Sequence, residues 1–174
     1  AEEATQMLGL PTLAVISRFG KTRDSYPDRL ITFRDPGSPI SEQYRTLRTN
    51  LLFSSNGGWS KAAYVVTSPG PSEGKSVTTA NLAVTMAMAG LRVLLIDADL
   101  RRPRLHEIFN LPNTIGLSTL LSTDPGQFSS DSSRRGATPQ NLLDCLQDTE
   151  VPGLRVITSG FLPLNPTEVL GSVA

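Results

Sequence analysis

The sequence predicts an α/β fold, an open and mainly parallel sheet with helices on both faces. Two short apolar runs point to it first: Tyr64-Val65-Val66 reads as a buried strand, and Arg92-Val-Leu-Leu-Ile-Asp97 as an interior parallel one. A later run, Leu154-Arg-Val-Ile-Thr158, has the character of a third parallel strand. Between the first two lies a Gly/Pro/Ser turn and then a helix from Ser76 to about Ala89. That helix is rich in small residues (Ala80, Ala83, Ala87, Ala89), which allow close packing on a sheet, and Gly90 follows as a left-handed cap. Strand, helix and strand in this order make a right-handed βαβ unit.

In chain order, residues 1–10 read as a short helix ending at Gly9, and Thr12 to Ile16 as a strand. Residues 17–37 turn polar and are broken by Pro27 and Pro36, so residues 1–37 form a strand and linker arm and 38–174 the main domain. Ser38-Pro39 supplies an N-cap and a proline at the first helical position. Ile40, Tyr44, Leu47 and Leu51 recur at helical spacing and should be buried. Glu42, Arg45 and Arg48 fall three apart, expected on a side turned away from that stripe. They read either as a solvated face with i,i+3 pairs or as a self-complementary patch for a neighbouring subunit.

Asn56-Gly57-Gly58 is a predicted turn. After Asp99 the sequence predicts a helix ending near Asn110, a second from Gly116 to Leu121, and a mobile Ser/Gly/Asp-rich loop over 122–140. A helical turn over 141–147 follows. Asn165-Pro166-Thr167-Glu168 opens a further helix with a variant of the capping box. There is no internal repeat.

The turn before Ser76 carries the chemistry. Gly74-Lys75-Ser76 completes the G-x-x-x-x-G-K-[ST] pattern of a phosphate-binding P-loop, although the opening glycine falls on Pro69 and Gly70 comes one residue late. The first N–H groups of a helix lack internal partners and carry partial positive charge, which suits a polyphosphate. Pro69 and Pro71 have no N–H, so the cradle is expected from Ser72, Glu73, Gly74, Lys75, Ser76 and Val77. Lys75 would reach the outer phosphates, and the Ser76 hydroxyl would bind Mg²⁺.

Asp97 and Asp99 sit where the next strand ends. Ligands of open parallel sheets bind outside the carboxyl ends of strands, so both acids are expected to face the P-loop, on one side if the strand persists. One can hold Mg²⁺ through water and the other accept a proton from an attacking hydroxyl.

Composition narrows the alternatives. Sixteen basic residues balance sixteen acidic ones in 174, so no nucleic-acid partner is indicated. One histidine, His106, and one cysteine, Cys145, exclude a His/Cys metal cluster and an internal disulfide. No stretch approaches the roughly 20 apolar residues of a membrane helix. The chain opens on Ala1 and is expected to be cut from something longer.

Three motifs resemble those of the bacterial tyrosine kinases of capsule and exopolysaccharide export. Val93-Leu-Leu-Ile-Asp-Ala-Asp-Leu-Arg101 is similar to their second Walker-type motif. Ser68-Pro-Gly-Pro-Ser-Glu-Gly-Lys-Ser76 resembles their P-loop variant, and Glu42-x-x-Arg45-x-x-Arg48 matches their subunit-contact motif. The resemblance implies a P-loop domain that transfers the γ-phosphoryl of ATP to protein tyrosines, itself included. It implies Lys75 on the β- and γ-phosphates, Mg²⁺ held by Ser76 and Asp97, and Asp99 as base for the incoming tyrosine. It implies a ring-like homo-oligomer through Glu42, Arg45 and Arg48. It further implies a membrane polysaccharide co-polymerase region, fused or separate, that keeps the domain at the cytoplasmic face of the plasma membrane.

The family's third motif, a strand ending Asp-x-Pro-Pro, is expected after the Asn165 helix. It is absent, as is the C-terminal tyrosine cluster. The sheet is therefore expected to be incomplete and the fragment weakly active or inactive. Two other readings remain: a P-loop switch ATPase of the partition or septum-placement type, and a nucleotide-binding assembly module without catalysis. The switch ATPases carry an extra lysine where this chain has Gly70.

Overall fold

The computed structural model describes residues 9–20, 25–54, 63–121 and 142–171. The predicted helix over 1–10, the turn at 56–58 and the loop over 122–140 lie wholly or mostly outside those residues. The chain divides into two compact units, Ala1–Leu91 and Arg92–Ala174.

The first unit is built around a helix that begins at the phosphate loop. A 3-10 turn, Pro27–Arg29, leads into α1 (Ile31–Arg34), α2 (Pro39–Ser54) and α3 (Lys75–Met88). The expected polar arm thus contains two helical turns. They form because Leu30 and Thr32 are buried, and Thr32 hydrogen-bonds to Asn81 of α3. Ser38 caps α2 as the sequence indicates: its Oγ accepts the Ser41 N–H at 3.1 Å. In α3 every residue from Ala80 to Ala87 is buried, and Gly90 takes φ 87°, which a residue with a Cβ rarely adopts. Both α1 and α2 pack on α3.

Two expected strands of this unit do not form. Thr12–Ile16 has no regular structure, and Tyr64–Val66 is neither in a sheet nor buried, with Val65 94% exposed. β-branched composition is a preference for a pleated, partly covered surface, not for a backbone conformation in isolation, and no ladder is recorded for this segment. The βαβ crossover is therefore not closed in the described residues.

The second unit holds a three-stranded sheet of β1 (Val93–Ile96), β2 (Gln147–Asp148) and β3 (Leu154–Ile157), in the order β1-β3-β2. β1 and β3 pair in parallel, Val93 opposite Leu154 and Ile96 opposite Ile157, as the apolar runs predict. The short antiparallel β2 was not expected. β1 is not an interior strand: Leu95 is buried, whereas Leu94 and Ile96 are 45% and 44% exposed on its opposite face.

Three short helices complete the unit: α4 (Leu105–Phe109), α5 (Leu117–Leu121) and α6 (Pro166–Gly171). Each falls where caps and periodicity place it. Asn110 ends α4 in the left-handed region, and Asn165 Nδ2 donates to Glu168 Oε2 across the first turn of α6. The 141–147 helical turn is a 3-10 turn, Leu142–Cys145. The end of β3 is locked to the α5 approach. Leu117 and Ser118 N–H donate to the Thr158 and Ser159 carbonyls, and Asn113 Oδ1 accepts from Gly160 N–H at 2.9 Å.

Candidate nucleotide-binding site

The phosphate loop is shaped by two left-handed residues on either side of Glu73. Ser72 has φ 62° and Gly74 φ 86°. Such reversals of backbone hand turn successive N–H groups towards one concavity, the geometry that binds anions in a P-loop. Serine adopts the left-handed region at a cost of about 1–3 kcal/mol, so strain is held at this point.

Gly74 is also the N-cap of α3, and its carbonyl accepts the Thr78 N–H at 2.8 Å. The N–H groups that open this helix belong to Lys75, Ser76 and Val77. Residues 72–74 are exposed and Lys75 to Thr79 half-buried, so this concavity is open to a ligand. The cradle residues expected from the sequence are thus brought together.

Glu73 acts differently from its neighbours. Its side chain bends back and Oε2 accepts the Gly70 N–H at 3.0 Å. Ser68 Oγ donates to the Gly70 carbonyl at 2.9 Å. Gly70, the out-of-register glycine, is thereby held by the loop itself, leaving the cradle to start at Ser72.

The two aspartates belong to the second unit. The strand does not persist through them: β1 ends at Ile96, and the chain turns. The expectation of two carboxylates side by side on one strand face is therefore replaced by a hydrogen-bonded turn. Asp97 is only 4% exposed. Its Oδ1 accepts the Asp99 N–H at 3.2 Å, and its Oδ2 accepts Arg104 N–H at 3.1 Å and Leu105 N–H at 2.9 Å. It thus caps α4, whose own N-cap, Arg104, offers no side-chain bond.

Burial raises the Asp97 carboxyl above the ordinary 3.8, and these three N–H groups only partly offset it. Asp99, half-buried, accepts Arg101 N–H at 3.3 Å and Arg102 N–H at 3.0 Å through Oδ1. The loop from 97 to 105 is therefore fixed by the two acids that the sequence led one to expect at a catalytic centre. The sequence did not reveal that second duty.

The Glu42, Arg45 and Arg48 set is split. Glu42 and Arg45 pair with each other, and Arg45 also donates to the Pro36 carbonyl. Arg48 is not turned away from the buried stripe. It lies one helical turn beyond buried Tyr44 and reaches α3, where Nη1 donates to the Thr85 carbonyl. Tyr44, 1% exposed, is hydrogen-bonded to the Thr78 side chain, while burial raises its phenol.

Mg²⁺ in phosphate sites is held by a hydroxyl, one or two carboxylates, water and the phosphates themselves. Ser76 and Asp97 are donors of that kind, and the concavity from Ser72 to Val77 suits the phosphates. Among the described residues no group of three or more His, Cys, Asp or Glu gathers as a metal-binding cluster of the all-protein kind.

A 14-residue helix opening from a left-handed Ser/Gly loop, together with a small parallel-containing sheet, defines a P-loop nucleotide-binding domain. Residues 64–147 match the CobQ/CobB/MinD/ParA nucleotide binding domain family. The tyrosine-protein kinase YwqD of Bacillus subtilis is 42% identical over 153 residues, 87% of this chain and 58% of that protein.

Two solved structures are also similar. The chimerical protein CapA2B2 gives a TM-score of 0.74 at 38% identity, covering 97% of this chain and 64% of the other. The BceF tyrosine kinase domain gives 0.72 at 31% identity, covering 97% and 65%. The chain is similar to bacterial tyrosine-protein kinases over most of its own length, and it spans about six-tenths of the length of these relatives.

Proposed function

We propose that this chain is the ATP-binding part of a bacterial protein-tyrosine autokinase that controls capsule or exopolysaccharide polymerisation and export. The observation that carries the proposal is the pair of left-handed residues, Ser72 and Gly74, opening onto the N–H groups of Lys75, Ser76 and Val77. When bound, Mg-ATP supplies the γ-phosphoryl group. Lys75 binds the outer phosphates, Ser76 and Asp97 are the protein donors for the metal, and Asp99 takes the proton of the tyrosine hydroxyl. Protein tyrosines are the substrates.

Glu42 and Arg45 form the exposed part of a contact between copies, in keeping with a ring-like homo-oligomer. The domain works at the cytoplasmic face of the plasma membrane, beside a co-polymerase region on the same or another chain. The family pattern also spans partition-type switch ATPases. Gly70 stands where those carry a lysine, which favours the kinase reading over that one.

Calorimetric titration with Mg-ATP tests the site. The wild-type chain is expected to bind and Lys75→Met to lose measurable binding. Equal titrations of the two would end the assignment.

A further inference from the structure

Asn81 is wholly buried in the middle of α3, a place where a polar amide offers the helix no advantage over leucine or alanine. All of its hydrogen-bonding capacity is nevertheless used. Oδ1 accepts the Thr32 N–H at 3.0 Å and the Thr32 hydroxyl at 2.9 Å. Nδ2 donates to the Arg29 carbonyl at 2.8 Å and to the Val77 carbonyl at 2.9 Å. One side chain thus joins the Arg29–Thr32 turn, about 50 residues earlier in the sequence, to the first turn of α3.

Val77 is itself one of the cradle residues. Thr32 is 2% exposed, so water does not compete for these bonds. A fully satisfied buried network of this kind fixes one arrangement of the elements it joins, where an apolar contact tolerates several.

We infer that Asn81 is a positioning residue: through it the Arg29–Thr32 turn holds the opening turn of α3 in the geometry that presents its N–H groups to phosphate. The inference rests on the reading of residues 72–77 as a polyphosphate cradle. It assigns a role to the arm before α2 that no motif in the sequence announces.

The direct substitution, Asn81→Ala, leaves several buried groups unpaired and threatens folding. Thr32→Val is the sharper variant, because it removes only the hydroxyl and keeps the N–H bond. Thr32→Ser restores the hydroxyl and serves as the rescue. Two readouts apply to each: hydrogen exchange of amides 74–79 without nucleotide, and the dissociation constant for Mg-ATP well below the unfolding temperature.

Thr32→Val is expected to speed exchange in the first turn of α3 relative to the rest of the helix. It should also weaken Mg-ATP binding about fivefold, the equivalent of one ordinary hydrogen bond. Thr32→Ser should return both to wild type. Loosening of the first turn in a wild-type background that does not bind Mg-ATP would keep the positioning role and remove the nucleotide reading. A folded Thr32→Val protein with wild-type exchange at 74–79 overturns the inference. So does one with unchanged Mg-ATP affinity where the wild type binds.

Discussion

Arg48 Nη1 donates to the Thr85 carbonyl at 2.8 Å, tying α2 to the far end of the phosphate-loop helix. Thr85 is among the last four residues of α3, whose carbonyls lack a full set of helical partners and carry the negative end of the macrodipole. A guanidinium there satisfies both needs. Arg48→Ala is therefore expected to lower stability by about 1–2 kcal/mol, from the lost charged hydrogen bond and the lost packing of the side-chain stem. Arg45→Ala removes an exposed pair and is expected to change stability by less than about 0.5 kcal/mol. Sedimentation of a longer protein should respond in the opposite order, with Arg45→Ala weakening self-association more than Arg48→Ala. Equal urea midpoints for wild type and Arg48→Ala would remove the capping role.

Gly116 has no room for a side chain. A Cβ at this position would come within 2.2 Å of the Thr158 carbonyl oxygen and 2.4 Å of the Gly160 nitrogen, both backbone atoms that cannot swing aside. The same approach lets Leu117 and Ser118 N–H pair with the end of β3. Gly116→Ala is expected to cost about 1–3 kcal/mol or more, by forcing the loop away from the strand. Chemical denaturation measures it. A variant within 0.5 kcal/mol of wild type (roughly the spread of surface substitutions) would show that the loop relaxes freely.

Asp97 gives a pH dependence whose sign follows from its burial. The folded carboxyl lies above the unfolded value of 3.8. Between the two values the folded chain binds the extra proton, so stability falls as pH rises through that window. The favourable contribution is complete below 3.8 and gone above the raised value. At pH 7 and without Mg-nucleotide, the buried charge is a net cost. Asp97→Asn removes the buried charge but keeps a single acceptor oxygen, so its Nδ2 faces N–H donors. Its stability relative to wild type is expected to rise from near pH 4 to pH 7, while the intact kinase loses activity. Urea midpoints at pH 7 and near pH 4 measure the difference. A difference between variant and wild type that is the same at both pH values would mean that burial does not raise the Asp97 carboxyl.

What the sequence disclosed is what neighbouring residues decide among themselves. The Ser38 cap, the Gly90 stop and the Asn165/Glu168 pair are local, and each occurs where expected. The glycine-punctuated turn before α3 and the start of that helix are local in the same way. Tyr64–Val66 was misread because strand formation depends on a distant ladder, which composition does not contain. Arg48 was placed on the wrong side by following its spacing to Arg45 instead of its position one turn beyond Tyr44. Asn81 and Thr32 went unnoticed because an apolar periodicity passes over polar residues, and their bonds span 49 positions. The Asp97 cap on α4 depends on a turn that an ideal extended strand would have hidden.

Asp99 offers the cleanest separation of structure from chemistry. Its Oδ1 accepts two backbone N–H groups, those of Arg101 and Arg102, and so holds the turn that follows. An asparagine oxygen accepts the same two bonds, so Asp99→Asn keeps the turn and removes the charge and basicity. Asp99→Ala removes both. Each is expected to leave Mg-ATP affinity within about threefold of wild type, a difference under 1 kcal/mol. In the intact kinase Asp99→Asn should reduce tyrosine phosphorylation by about 10²–10⁴-fold, the usual contribution of a positioned general base. Melting temperatures divide the two roles: Asn should match wild type and Ala should fall. Undiminished phosphotyrosine in Asp99→Asn would assign the proton to another acceptor, and a loss confined to Asp99→Ala would make Asp99 a residue of the turn alone.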